Sequence, residues 1–339
     1  MNSLQRYQGM LDGKPVDIVP RTPILMQFAA EHIGTDYAKF ASDYRVLVRA
    51  NEACAKDFGF DQLSCISDPY RETQGFGSRI EYVPDGPPRS SHPLQNTRDL
   101  STLIKPSPLL SVRMKDRVDA ARLYKQQNGS EYSILGWIEG PAAEAADLRT
   151  PMNFLMDVMD DEKFACELMD LCVEVGISFA RAQIEAGADT IGIGDAIASQ
   201  LSPDLYERLV QPREMKLVKA IRDMGAYTKL HICGNITHLL PGIADLNVSI
   251  LDVDHMVSLS AARKAVGQRV AIAGNIDPVT AVQRGTPASI REAIRSAYVE
   301  VGNPYIVNAG CEVPSGTPPA NLKALCDAIA DNRLKTPGG

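Results

Sequence analysis

The chain has 339 residues, 45% of them hydrophobic, 23% charged and 6% aromatic, a globular composition that excludes disorder, collagen and a disulfide miniprotein. With 35 basic against 42 acidic residues the net charge is −7, and no block of five like charges occurs, so no nucleic-acid partner is expected. No apolar run approaches the ~18 residues of a membrane span, residues 1–20 carry neither a signal core nor a transit pattern, and seven cysteines lack framework spacing, so the expectation is a cytoplasmic protein with reduced thiols and no membrane partner.

Eight short β-rich apolar runs follow one another, over 22–29, 61–66, 132–138, 190–193, 228–232, 248–253, 270–273 and 305–309. Each is closed by Gly, Pro, Asp or Asn and followed by apolar residues at helical spacing. Helices are predicted over 161–186, 203–224 and 287–301, the last two opened by Ser202-Pro203-Asp204 and Thr286-Pro287 as N-caps prefer. Eight β-then-α units with near-continuously apolar strands predict one α/β domain over 1–339, a (β/α)8 TIM barrel. An open doubly wound sheet is the alternative. It lacks a G-x-G-x-x-G after the first strand, since Gly192-Ile193-Gly194 lies on the fourth. Residues 69–130, with Pro84, Pro87, Pro88, Pro93, Pro106 and Pro108 ahead of a helix over 111–127, form a long insertion after strand two. It reads as a lid, a docking surface or a packed decoration.

In such barrels the chemistry sits where strands end. Those ends carry Asp68, Asp195, His231, Cys233, Asp252, Asp254, His255, Asn275, Asp277, Asn308, Cys311 and Glu312. His231 and Cys233 are two apart on a strand, so both face one side and can share a metal. Cys311, at the end of strand eight, adds a second thiolate across the same mouth. One imidazole and two thiolates suit Zn²⁺ and leave one tetrahedral position open; Asp254 or His255 can fill it. The alternative is a neutral acid/base His231 with both cysteines as small apolar fillers. Asp68, Asp195 and Glu312 are candidate catalytic acids, with helix capping the competing role for Asp68 and Asp195. Asn275, Asp277 and Asn308 are candidate substrate-binding residues, the first two equally able to cap the helix at Pro278. Cys54, Cys65, Cys166, Cys172 and Cys326 read as core residues.

The His231-x-Cys233 pair followed by Cys311, together with Ser67-Asp68-Pro69, Gly192-Ile193-Gly194-Asp195, Ala273-Gly274-Asn275-Ile276-Asp277-Pro278 and Asn308-Ala309-Gly310-Cys311-Glu312, resembles the uroporphyrinogen decarboxylase superfamily. Within it the pattern is closest to the zinc-dependent corrinoid methyltransferases of the methylcobamide:coenzyme M type. The decarboxylases carry an Arg-rich R-Q-A-G-R motif near the N-terminus. Here that stretch reads Met26-Gln27-Phe28-Ala29-Ala30-Glu31-His32, without arginines to hold a polycarboxylate. The resemblance therefore implies a zinc methyltransferase moving a methyl group between a corrinoid and a thiol such as coenzyme M, or tetrahydrofolate. No D-x-H-x-x-G motif occurs, so the methylcobamide is expected on a separate corrinoid protein. A tetrapyrrole decarboxylase using Asp68, and a non-catalytic zinc or ligand-binding barrel with a closed four-ligand site, are the alternatives.

Overall fold

A computed structural model describes residues 1–327 and 329–331; the end of the predicted 1–339 domain, 332–339, lies outside them. Among the described residues nine strands form, namely β1 (Gln62–Ser64), β2 (Ile80–Glu81), β3 (Arg89–Ser90), β4 (Ser133–Glu139), β5 (Thr190–Gly194), β6 (Tyr227–Ile232), β7 (Ile250–Val253), β8 (Ala271–Ala273) and β9 (Tyr305–Ile306). Seven of them make one parallel sheet in the order β1-β4-β5-β6-β7-β8-β9, and β2 and β3 pair separately and antiparallel. Apart from the separate β2–β3 pair, each strand of the sheet lies beside the sheet strand that precedes it in the chain, because each crossover returns through a helix to the next position. The strands are buried almost throughout, which is why they read as unbroken apolar runs.

The predicted first strand, 22–29, does not form. Residues 22–25 have no strand pairing, and Gln27–His32 is a helix. Pro20 and Pro23 have no N–H to offer a ladder, so only Arg21 forms a bridge there, parallel to Val307. This short segment still touches both sheet edges: Thr22 N–H donates to the Val307 carbonyl, Val307 N–H to that of Pro20, and Asp61 N–H to that of Arg21. The result is an α/β fold with a curled seven-stranded parallel sheet.

Two of the predicted helices fall where the periodicity places them. Glu162–Ala186 is capped by Asp161, whose side chain accepts from Phe164 N–H, and Pro287–Val301 opens with a capping box made by Thr286 and Ser289. The predicted helix over 203–224 is interrupted by a π-helical turn, Tyr206–Val210, before Gln211–Asp223. Pro212 has no N–H to return to the carbonyl of Arg208, and the wider turn absorbs the mismatch. The expected insertion is only partly an excursion. Helix Arg71–Gly75, the β2–β3 pair and a 3-10 turn at Leu100–Thr102 precede Val112–Asn128, an ordinary layer helix packed on Tyr44–Phe58 and Glu162–Ala186. Among the described residues, no helix is long and apolar enough to cross a membrane.

Candidate active site

The C-terminal ends of the strands surround a cavity of about 160 Å³ lined by Ile24, Met26, Ile66, Asp68, Pro69, Trp137, Glu139, Gly194, Ala196, His231, Cys233, Cys311 and Glu312. His231 sits near the end of β6 and Cys233 just past it, so alternation along the strand turns both side chains inward. Cys311 arrives on the loop after β9. That loop lies close enough to the one after β7 that a Cβ on Gly310 would be 2.4 Å from His255 N, and a bare backbone is needed there.

The three ligand atoms lie within 4.8 Å of one another. His231 Nε2 is 3.1 Å from Cys233 Sγ, and the two sulfurs are 3.8 Å apart. Tetrahedral zinc, with Zn–S of about 2.3 Å, holds two sulfurs about 3.8 Å apart, so the donor set and its spacing fit that ion. The hydrogen bond from the Cys233 thiol brings Cys311 down to about 4 against the opposing effect of burial, with His231 helping, while Cys311 pushes Cys233 upward. Burial opposes charge on His231, yet its contacts with Cys311 and Asp252 hold its pKa above the usual imidazole value.

Behind the imidazole stands a buried polar group. Asp252 pairs with His231 in the β6–β7 register, and its Oδ2 is 3.5 Å from His231 Nδ1 and 2.8 Å from Lys229 Nζ. Asn308 Nδ2 donates to both Asp252 oxygens at 3.0 and 3.2 Å. Asn308 is fully buried; it holds the carboxylate that holds the histidine, and does not face the cavity as a substrate-binding residue would.

Neither candidate for a fourth ligand joins the cluster. Asp254 Oδ2 accepts from Gly234 N–H at 2.9 Å and Oδ1 from Met256 N–H at 3.0 Å, so its oxygens are occupied in shaping the two loops. His255 is turned outward, with Nδ1 2.8 Å from Asp254 Oδ1 and Nε2 3.7 Å from Asp277 Oδ2.

Other predicted residues have structural partners. Asn275 Nδ2 donates to the carbonyls of Asp254 and Val257, and Asp277 caps the turn at Pro278–Gln283 through Val279 and Thr280 N–H. Asp195 is fully buried outside the cavity lining and accepts from Ala143 N–H at 2.6 Å, with Ala142 N–H at 3.4 Å, capping the helix Pro141–Arg149. Asp68 does line the cavity, but Arg113 grips it with two hydrogen bonds of 2.6 Å. Burial works against its ionisation; the charge and hydrogen bonds of Arg113 outweigh this and hold it well below the usual carboxylate range. Glu312 also lines the cavity and accepts from Gln27 N–H at 3.0 Å, while burial pushes its carboxyl up to about 7.

Sequence reasoning missed Glu139, Trp137, Arg71 and Arg113. Glu139 ends β4 and faces the cavity, with Oε1 accepting from Arg71 at 2.6 Å and from Trp137 Nε1 at 3.2 Å. It follows the predicted third strand directly, so the signal of a polar residue at a strand end was present. The Trp137 ring lies over bare backbone on β5, where a Cβ on Gly192 would stand 2.2 Å from ring atom Cε3.

A parallel α/β sheet whose strand ends gather an imidazole and two thiols beside an apolar cavity defines a protein with a candidate thiophilic metal centre. The chain belongs to the uroporphyrinogen decarboxylase (URO-D) family, whose profile matches residues 2–331. It is 28% identical to the methylcobamide:CoM methyltransferase MtbA of Methanosarcina mazei, over 97% of this chain and 98% of that one. It is 24% identical to a uroporphyrinogen decarboxylase of Chlorobaculum tepidum, over 93% and 95%. The structure of a methyltransferase from Methanosarcina mazei superposes with a TM-score of 0.87 at 25% identity, covering 96% of this chain and 97% of the other.

Proposed function

We propose that this chain is a methyltransferase that moves a methyl group between a methylcobamide, carried on a separate corrinoid protein, and a thiol, with zinc bound by His231, Cys233 and Cys311. The observation that carries this is the convergence of those three donors at one side of the cavity, in a chain similar to methylcobamide:CoM methyltransferases along nearly its whole length. Zinc in this site would supply ionisation of an incoming thiol at neutral pH. The chain's own residues do the rest: Asp252 keeps Nε2 of His231 aimed at the cluster, and Trp137, Ile24 and Ile66 exclude water from the reacting sulfur.

Three donors among the described residues, opening on a cavity, suit an exchangeable position better than the closed four-ligand site of a storage or sensor barrel. Tetrapyrrole decarboxylation is less well served. The described residues lining the cavity include no Lys or Arg to meet several carboxylates, and Asp68 is already engaged by Arg113. The contacts of residues 20–22 with both sheet edges support closure as a (β/α)8-type barrel, with Asp68 and Glu312 at its mouth. All seven cysteines are free, which suits a reducing cytoplasm.

The test is to mix the zinc-loaded protein with methylcobalamin and a thiol and follow the cobalamin spectrum, expecting demethylation. Cys233→Ser and Cys311→Ser should each lose both turnover and bound zinc. Full zinc in both variants would overturn the ligand assignment, and no demethylation with any thiol would overturn the activity.

A further inference from the structure

The polar groups of the cavity wall restrict what kind of thiol can occupy it. Three acidic residues, Asp68, Glu139 and Glu312, line the space, Asp68 held ionised by Arg113 and burial working against ionisation of the other two, and the described lining contains no Lys or Arg. The two nearest guanidinium groups are withdrawn behind the wall: Arg71 is 0% and Arg113 2% exposed, one bound to Glu139 and the other to Asp68. Glu72 and Glu144 lie buried beside them, with Glu72 accepting from Glu139 N–H and Glu144 from Thr73, so acids outnumber bases around this wall. The amides that open the helix after Glu139, a natural anion seat, are taken by Asp195. An anionic tail entering here would lose water and find no Lys or Arg side chain free to pair with it.

The opposite holds for a donor. Glu139 Oε1 is shared by Arg71 and Trp137, whereas Oε2 accepts no hydrogen bond among the described residues. It stands at the wall near Gly194, 3.3 Å from where a Cβ there would be. A hydroxyl or ammonium group in the cavity finds an acceptor waiting.

We propose that the thiol substrate of this site carries a neutral or cationic, hydrogen-bond-donating tail and that sulfonate or carboxylate thiols are excluded, in contrast to a coenzyme M-type acceptor. This rests on the methyltransferase reading above. In the transfer the thiol S–H releases its proton to solvent and a C–S bond forms. The Co–C bond of methyl-Co(III) breaks with its electron pair left on cobalt, giving the methyl thioether, Co(I) and one proton.

The test uses three two-carbon thiols that differ only in the tail, 2-mercaptoethanol, cysteamine and coenzyme M, with the zinc-loaded full chain. Demethylation of methylcobalamin gives kcat/KM for each. Trp137 is the one tryptophan of the chain and lines the cavity, so a fluorescence titration with the same thiols, without methylcobalamin, reads binding independently of turnover. The neutral and cationic thiols are expected to exceed coenzyme M by at least ~10-fold in both readouts; equal or better performance by coenzyme M overturns the proposal. If none of the three is methylated, the methyltransferase reading fails and the titration alone decides the charge preference. Glu139→Gln should narrow the discrimination about tenfold, and an unchanged ratio removes Glu139 from the argument.

Discussion

Asp252 reaches His231 from the adjacent strand, its carboxylate 3.5 Å and its carbonyl oxygen 3.3 Å from Nδ1, which leaves Nε2 directed at Cys233. Such a partner fixes the tautomer and raises the basicity of a ligating histidine. Asp252→Asn is expected to weaken zinc binding about 10- to 100-fold, measured by competition with a chelator. The same change strips Lys229 of its counter-ion, so circular dichroism melting should fall as well; unaltered zinc affinity would show that His231 needs no help from the neighbouring strand.

Asp68 presents the clearest dependence on pH. Because Arg113 holds its folded pKa below the unfolded value, the stability from ionised Asp68 is present above the unfolded pKa of ~3.9 and is lost as pH falls further. Acid unfolding followed by fluorescence should therefore steepen below about pH 4. Asp68→Asn removes that component and leaves Arg113 buried without a counter-charge, at a cost of about 3–5 kcal/mol. A variant as stable as the parent at pH 7 would refute the pairing.

Asp195 tests the difference between capping and chemistry. Asp195→Ala should cost about 1 kcal/mol in urea denaturation by releasing the amides of Ala142 and Ala143, while kcat on methylcobalamin stays within about twofold of the parent once the variant is folded. A collapse of kcat at full stability would restore the catalytic role that its place in the sequence suggested.

Docking of a corrinoid protein is proposed for the exposed apolar residues Ile104, Leu109, Leu110 and Val112, which precede and open the helix Val112–Asn128. Leu110→Asp combined with Val112→Asp should lower kcat/KM for methyl exchange with the corrinoid protein about tenfold or more and leave exchange with free methylcobalamin unchanged. Equal loss on both substrates would place the defect in the cavity and not on the surface.

The gathering of one imidazole and two thiols was legible in the sequence because their spacing and strand-end position obey one rule: alternation brings His231 and Cys233 to one side, and parallel strands bring Cys311 to the same face. The remaining strand-end polar residues were harder to sort. Asp195, Asn275 and Asp277 satisfy helix ends and loop carbonyls, Asn308 and Asp252 sit one layer behind, and a sequence does not reveal which layer a carboxylate or amide occupies. Glu139 escaped for the opposite reason, since a predicted strand ending at 138 left its last residue outside. The failed strand at 22–29 was misread because a β-rich composition hid Pro23, which with Pro20 just before the segment cannot donate to a ladder.

Gly192 touches no reactant, yet its missing methyl is what lets the indole of Trp137 lie flat over β5. Alanine at 192 would drive the ring off its bed, and the plane that walls the chamber would tilt with it. The breadth of the cavity is thus governed from a neighbouring strand, so a broader or narrower choice of guest can be engineered there while His231, Cys233 and Cys311 are left as they are.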